Sequence, residues 1–136
     1  MSQMMTLDIL TPERTVCSEE ADIVIARALD GEIGILSNHA PLVAALDIAP
    51  LRYKKDGIEH FVAVNGGFME VKDNRISILT PSAETAAEID IRRAEAAKER
   101  AEKRLEAPTH EIDVQRAELA LRRAMLRLKI AEFGHR

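Results

Sequence analysis

Two alanine-rich stripes in the last third of the chain restrict the fold more than any other feature. The first stripe runs through Ala94, Ala97, Ala101 and Leu105, and the second through Val114, Ala117, Leu121, Ala124, Leu128 and Ala131. Residues three and four apart share one face of a helix, so each stripe predicts a helix with a narrow apolar seam. The segment Ala107-Pro108-Thr109-His110 separates them, because proline cannot continue a helix. Such a short connection predicts an antiparallel helical hairpin.

The first of these helices begins with an unusual pair of charges. In Ile89-Asp90-Ile91-Arg92-Arg93-Ala94 the aspartate is a good N-cap, because its carboxylate can accept a hydrogen bond from a first-turn amide. Arg92 and Arg93 then fall in the first turn, where the helix dipole disfavours cations. These two arginines do not fit a plain helical hairpin.

Four arginines can meet in the predicted hairpin. Arg93 and Arg100 are seven residues apart on one helix, and Arg123 and Arg127 are four apart on the other, so each pair shares a face. One interpretation pairs each arginine with a nearby glutamate on a solvated face, which the spacing alone favours. The other is that the guanidinium groups together hold a polyphosphate.

The chain before residue 80 shows the pattern of a β-domain. Short apolar or alternating segments predict strands at residues 6–10, 22–28, 33–35, 43–48, 51–54, 61–64, 68–71 and 75–79. Lys55-Asp56-Gly57 and Asp73-Asn74 mark turns, and Pro50 is expected to separate two strands. Asn65-Gly66-Gly67 lies between two strands instead of opening a helix, so it predicts a bulge or a close backbone approach.

These patterns together predict an N-terminal antiparallel β-sandwich or flattened barrel followed by a C-terminal two-helix antiparallel hairpin. Residues 81–88 are expected to form the linker between them. The predicted domains are residues 1–85, the sandwich, and residues 86–136, the hairpin.

Charge and composition exclude several classes of protein. Residues 1–89 carry 7 Lys and Arg against 14 Asp and Glu, whereas residues 90–136 carry 12 against 9. A modestly positive helical part without interleaved aromatic residues does not predict nucleic-acid binding. No apolar run reaches the ~18 residues of a membrane span, and the N-terminus lacks the pattern of a secretory signal. The lone Cys17 excludes an internal disulfide.

His39 is the most tempting catalytic candidate in the sequence. It stands in Asn38-His39-Ala40-Pro41, with no serine or cysteine partner at a convincing spacing. A structural role or a contact with a partner protein is therefore favoured. The four histidines show no metal-ligand spacing, so no metal site is predicted. We expect a protein that is not an enzyme.

Three segments resemble the epsilon subunit family of the rotary, proton-translocating ATP synthase. They are Gly31-Glu32-Ile33-Gly34-Ile35-Leu36-Ser37-Asn38-His39-Ala40-Pro41-Leu42, Val64-Asn65-Gly66-Gly67-Phe68-Met69-Glu70-Val71, and Arg116-Ala117-Glu118-Leu119-Ala120-Leu121 with Arg123-Ala124. The resemblance implies a β-sandwich followed by a helical hairpin, in a non-catalytic subunit of the central rotor.

The resemblance also implies partners. The sandwich would lie against the gamma subunit and the c-ring, with interface residues Gly34, Leu36, His39 and Pro41. The helices would inhibit ATP hydrolysis when they extend toward the catalytic alpha/beta head. The protein would be peripheral, at the cytoplasmic face of the bacterial plasma membrane, and would meet the membrane only through the complex.

Bacillus-like members of this family bind ATP with a motif of Ile/Leu-Asp-x-x-Arg-Ala, which stands here at residues 89–94. The resemblance then implies an ATP site made of Glu84, Ile89, Asp90, Arg93, Ala94, Arg100, Arg123 and Arg127. Of these, Arg100, Arg123 and Arg127 are assigned to the phosphates, and Glu84, Asp90 and Arg93 to the adenosine end and the helix start. ATP would be a regulatory ligand that is not turned over, with magnesium as a possible companion. The alternatives are an interaction-only scaffold without nucleotide sensing and a small nucleotide hydrolase.

Overall fold

The computed structural model describes residues 4–107 and 111–134, as eight strands followed by two helices. The strands are β1 (Met5–Leu10), β2 (Thr15–Ala21), β3 (Ile23–Ala28), β4 (Gly31–Leu36), β5 (Leu42–Lys55), β6 (Ile58–Lys72), β7 (Arg75–Leu79) and β8 (Ala83–Thr85). A single 3₁₀ turn, Ala86–Glu88, leads into α1 (Ile91–Glu106) and α2 (Glu111–Gly134). The predicted fold class is therefore confirmed. Pro108, Thr109 and His110 of the predicted helix break lie outside the described residues. The predicted boundary between the two domains, after residue 85, stays a prediction.

The two longest strands build the sandwich. The strand order is β2-β1-β7-β6-β5-β3-β4, with β8 also paired to β6. At Gly66 and Gly67 of β6 the backbone has φ angles of 80° and 106°, which favour glycine. On one side of this bend β6 pairs with β7, and on the other side with β8. The sheet therefore turns over on itself into two layers. All pairs are antiparallel except β1 with β7, which run parallel.

Pro50 lies inside β5, where the sequence predicts a break between two strands. The pairing of β3 with β5 includes Arg52 and Leu46 but is irregular between them. Proline lacks an N–H group, so it is tolerated at a position where a neighbouring strand requires no hydrogen bond. The strand consequently continues through Pro50, which stands opposite Ala63 of β6.

Strands β2 and β8 are not apparent from the sequence pattern. In β2 the polar Ser18, Glu19 and Glu20 outnumber the inward-facing Cys17 and Ala21, so the apolar alternation is weak. β8 has three residues and lies in the segment that is expected to be a linker. Both strands form by pairing with a neighbouring strand: β2 pairs with β1, and β8 pairs with β6.

The core of the sandwich is aliphatic. Its fully buried side chains include Leu7, Ile9, Val24, Ile35, Leu51, Met69, Ile76 and Ile78. A Cβ atom at Gly67 would collide with the backbone carbonyl of Leu79, so the close backbone approach predicted at this glycine is confirmed. Any larger residue there would push β6 and β7 apart.

The helices form the predicted hairpin through their alanine seam. Ala94 and Ala101 of α1 and Ala117 and Ala124 of α2 are buried. α2 also packs on the sandwich through a docking cluster, which we define as Ala63, Ile89, Leu126, Ile130 and Ala131 with Ile48, Phe61, Ala86 and Phe133 at its margin. Neither helix, over the residues described, is long and apolar enough to cross a membrane.

Candidate functional site

A pocket of about 250 Å³ lies where β8 and the start of α1 meet α2. Its lining residues are Glu84, Glu88, Asp90, Arg93, Ala94 and Arg127. Five of the eight residues predicted for the ATP site are among them, although they come from three separate segments of the chain. We call this pocket the hairpin pocket.

The start of α1 confirms the predicted N-cap. The Asp90 backbone is extended, and its Oδ1 accepts a hydrogen bond from the Arg93 amide at 3.1 Å. This bond satisfies an amide that the helix leaves without an internal partner. It also fixes the turn that carries the Arg93 side chain at the edge of the hairpin pocket.

Arg127 connects α2 to the sandwich across the hairpin pocket. Its Nε lies 2.6 Å from Oε1 of Glu84 in β8, and both side chains are about one-third exposed or less. Arg127 therefore has a carboxylate partner within the protein itself. This pairing reduces the repulsion between Arg127 and the other arginines of the hairpin.

Glu88 is a pocket residue that the sequence analysis missed. The Thr85 backbone amide and hydroxyl both donate to its Oε1, at 2.9 and 3.0 Å, and Arg14 lies 2.6 Å from its Oε2. Burial raises the pKa of Glu88, but these hydrogen bonds and the Arg14 charge outweigh it and hold the pKa below the usual range. The Thr85-x-x-Glu88 spacing of a capping box was the available signal.

The remaining predicted ligands do not line the pocket. Ile89, which immediately precedes the N-cap of α1, is buried in the docking cluster. Arg100 lies on α1 two turns after Arg93, and its side chain is exposed. Arg123 lies on α2 one turn before Arg127, and its side chain is half-buried. The structure thus gathers Arg93 and Arg127 at the pocket and leaves Arg100 and Arg123 outside its lining.

The predicted partner residues lie on β4 and the loop that follows it. Gly34, Leu36 and Pro41 are exposed, whereas His39 is half-buried. The His39 Nδ1 lies 2.7 Å from the carbonyl oxygen of Ala40, so this nitrogen carries a hydrogen and donates it. The contact orients the ring within the loop.

A second exposed surface was not expected from the sequence. Val43, Phe68 and Leu79 each expose more than half of their surface, and Phe68 stands directly opposite Leu79 in the pairing of β6 with β7. We call these three residues the apolar face. Large apolar side chains grouped on an outer surface mark a site of protein interaction.

Comparisons with known families agree with this architecture. Residues 4–86 match the beta-sandwich domain of the ATP synthase delta/epsilon chain, and residues 87–132 match its long alpha-helix domain. The chain belongs to the ATP synthase delta/epsilon chain family. The resemblance deduced from the three sequence segments is therefore confirmed.

Two relatives in this family are similar over most of their length. The ATP synthase epsilon chain of Desulforamulus reducens is 54% identical over 132 residues, which are 97% of this chain and 100% of the relative. That of Brevibacillus brevis is 54% identical over 102 residues, covering 74% and 77% respectively. A chain in the Euglena gracilis mitochondrial ATP synthase has the same fold, with a TM-score of 0.76 at 24% identity, covering 98% of this chain and 82% of that one.

This delta/epsilon-family chain holds its α2 helix to the sandwich by one further ion pair. Arg122 Nη2 lies 2.7 Å from Oδ1 of Asp47 in β5. The hydrogen bond from Arg122 lowers the pKa of Asp47 and outweighs burial, which raises it. Because the pKa is lower in the docked hairpin, the pair stabilises docking at neutral pH and loses this effect as the pH falls through the docked-state pKa.

We expect Asp47→Asn to weaken helix docking by up to about 1 kcal/mol at neutral pH, since the pair is partly exposed. Acidification below about pH 4 should then weaken docking less in the variant than in wild type. Melting followed by helical circular dichroism at neutral and acidic pH measures both effects. Asp30→Asn, on an exposed turn of the sandwich, is the control. An unchanged pH dependence in Asp47→Asn would contradict this role.

Proposed function

We propose that this chain is the non-catalytic epsilon subunit of an ATP synthase, and that its helical hairpin regulates ATP hydrolysis. The match of both parts of the chain to the family supports the assignment as an ATP synthase epsilon subunit. The second half of the proposal is supported by the docked hairpin, which a small apolar cluster and the ion pairs of Asp47 with Arg122 and of Glu84 with Arg127 hold on the sandwich. By this proposal the subunit sits in the central stalk, at the cytoplasmic face of the bacterial membrane.

Two states of the hairpin account for the regulation. The alanine seam and the docking cluster bury modest apolar area, so the docked state is only marginally favoured. A ligand that binds the docked state alone stabilises it by RT ln(1 + [L]/Kd), about 2.7 kcal/mol at a hundredfold excess over Kd. High ATP then retains the hairpin on the sandwich, and low ATP releases it toward the catalytic alpha/beta head, where it blocks hydrolysis.

The hairpin pocket is suited to the adenosine end of the nucleotide. Its volume of about 250 Å³ is below the usual range for a whole ligand of this size. Its carboxylates, Glu84 and Asp90, can accept hydrogen bonds from amino and hydroxyl groups but would repel phosphates. The phosphates then extend from Arg127 toward Arg123 and Arg100, which lie outside the pocket.

We expect binding without turnover. The carboxylates of the hairpin pocket are already engaged: Glu84 by Arg127, Glu88 by Thr85 and Arg14, and Asp90 by the helix amide. Their remaining lone pairs can still accept hydrogen bonds from the adenosine, but at that end none lies beside the γ-phosphate, where a general base has to reach the attacking water. Magnesium would accompany the triphosphate, beyond the pocket lining.

The exposed surfaces on the sandwich provide the contact with the gamma subunit and the c-ring. Leu36 and His39 lie at the end of β4 and in the following loop, and the apolar face lies on β5, β6 and β7, which pair with one another in that order. Burial of such apolar side chains is the main source of stability in permanent protein interfaces.

We expect Phe68→Asp to reduce binding of the gamma subunit at least tenfold, because a carboxylate would be buried without a partner in the interface. Ile58→Asp is the matched control, since Ile58 is 62% exposed and Phe68 59%, and Ile58 lies at the far end of the same strand. Pull-down with purified gamma subunit measures binding, and thermal melting verifies that both variants are folded. Equal binding by the two variants would place the interface elsewhere.

One titration separates the proposed function from its alternatives. Addition of ATP or ADP to the isolated chain should give binding that is stronger for ATP, with no release of phosphate. An interaction-only scaffold would bind neither nucleotide, whereas a nucleotide hydrolase would release phosphate.

A further inference from the structure

A larger groove, of about 370 Å³, lies on the sandwich beside the C-terminal end of α2. The sandwich contributes Ile25, Ala26, Arg27, Glu32, Pro50, Arg52 and Phe61, and α2 contributes Lys129 and Phe133. None of these residues lines the hairpin pocket. We call it the sandwich–helix groove.

The floor of the groove is aromatic. The rings of Phe61 and Phe133 are 4.6 Å apart and inclined by 37°. Lys129 Nζ lies 5.8 Å from the centre of the Phe133 ring, within the range of a cation–π contact. Another aromatic ring can stack on such flat apolar side chains when the flexible Lys129 side chain turns from the Phe133 face toward the anionic group of the ligand.

The charges around the groove are predominantly positive. Arg52 is matched by Glu32 at 3.1 Å and by Glu59 at 3.6 Å. Within the described ranges, 4–107 and 111–134, neither Arg27 nor Lys129 has a carboxylate at ion-pair distance, and both are exposed. The Arg27 charge is near enough to Asp47 to contribute to the lowered pKa of that carboxyl group. Two cations on opposite walls therefore remain available to an anion.

We propose that the sandwich–helix groove binds a small aromatic anion, whose ring lies on Phe61 and Phe133 and whose anionic group lies between Arg27 and Lys129. The two walls belong to different parts of the chain, so the site is complete only while the hairpin is docked. A ligand there stabilises the docked hairpin by linkage. The groove is a second effector site, separate from the hairpin pocket.

Naphthyl phosphate is a suitable probe, because it carries both an aromatic ring and an anionic group. Naphthalene methanol, which has the ring without the charge, and inorganic phosphate, which has the charge without the ring, are the controls. We expect naphthyl phosphate, without ATP, to raise the melting temperature of the full chain and to shift amide NMR signals of Arg27, Phe61, Lys129 and Phe133. Each control compound should bind at least tenfold more weakly, since it lacks either the charge or the ring.

Lys129→Gln should weaken naphthyl phosphate binding about tenfold or more, since it removes one charge-assisted contact. Lys72→Gln, at the exposed end of β6 and outside the groove, should leave binding unchanged. Arg27→Gln supplies a second variant, on the sandwich wall, that leaves the helix unaltered. Equal binding by wild type and both groove variants would overturn the proposal.

Saturating ATP separates the two sites. We expect ATP to leave naphthyl phosphate binding intact or to strengthen it, because both ligands favour the docked hairpin. Displacement of the probe by ATP would overturn the proposal of a separate site. Because the first titration contains no ATP, its outcome does not depend on the proposed nucleotide function.

Discussion

Arg127→Ala should remove at least about half of the thermal stabilisation that ATP gives to the hairpin. A charge-assisted hydrogen bond contributes roughly 1.5–3 kcal/mol, so its loss lowers ATP affinity by about ten- to a hundredfold. At an ATP concentration a hundredfold above the wild-type Kd, the variant loses about 1.3 to 2.3 kcal/mol of the roughly 2.7 kcal/mol expected for wild type. Helical circular dichroism melts over a series of ATP concentrations measure the difference.

The same substitution should also loosen the hairpin without ATP. Arg127 is the ion-pair partner of Glu84, so its removal breaks a link between α2 and the sandwich. Repulsion between like charges in the arginine cluster would by itself have the opposite effect, since removal of Arg127 would relieve it. Arg92→Ala is the control, because Arg92 is exposed beside Arg93 and lies outside the pocket lining. If Arg127→Ala gains as much stability from ATP as Arg92→Ala does, the nucleotide site is wrongly placed.

Ile130→Ala should undock the hairpin with the sandwich intact. Ile130 is 0% exposed at the centre of the docking cluster, and truncation of a buried isoleucine costs about 2–5 kcal/mol. This is comparable to the marginal stability expected of the docked state. In an assembled ATP synthase, the variant should therefore inhibit ATP hydrolysis more strongly than wild type at the same ATP concentration.

Leu119→Ala is the matched control on the same helix, since Leu119 is 42% exposed. It should change docking and inhibition little. Hydrolysis assays on reconstituted complexes compare the two variants, and amide hydrogen exchange reports whether the sandwich core stays protected. Unchanged inhibition by Ile130→Ala, with exchange in α2 increased, would show that release of the hairpin is not what inhibits hydrolysis.

The parts of the fold that follow from local periodicity could be predicted from the sequence. The alanine stripes specify both helices, and the turn at Lys55-Asp56-Gly57 specifies the hairpin of β5 and β6. β2 could not be found because pairing with β1, and not its own apolar pattern, makes it a strand. The prediction of two strands separated by Pro50 was wrong for a similar reason. A proline fits inside β5 because the pairing of β5 with β3 is interrupted there, and no local pattern shows that interruption.

In the candidate site, too, some features follow from the local sequence and others only from the packing of distant segments. The N-cap role of Asp90 is local and was predicted from the residue type and its position before the helix. The ion pair between Glu84 and Arg127 joins residues 43 apart, so only the docking of α2 on the sandwich reveals it. The same holds for the pair between Asp47 and Arg122 and for the sandwich–helix groove, which no local pattern could indicate.

The central claim is that ATP selects the docked hairpin. The most direct test measures the distance between spectroscopic labels at Lys72, on the sandwich, and Glu118, on the exposed side of α2, with the buried Cys17 replaced by alanine. Added ATP should narrow the distribution to a single short distance, at lower concentrations than ADP requires. A distribution that saturating ATP leaves unchanged would contradict the account.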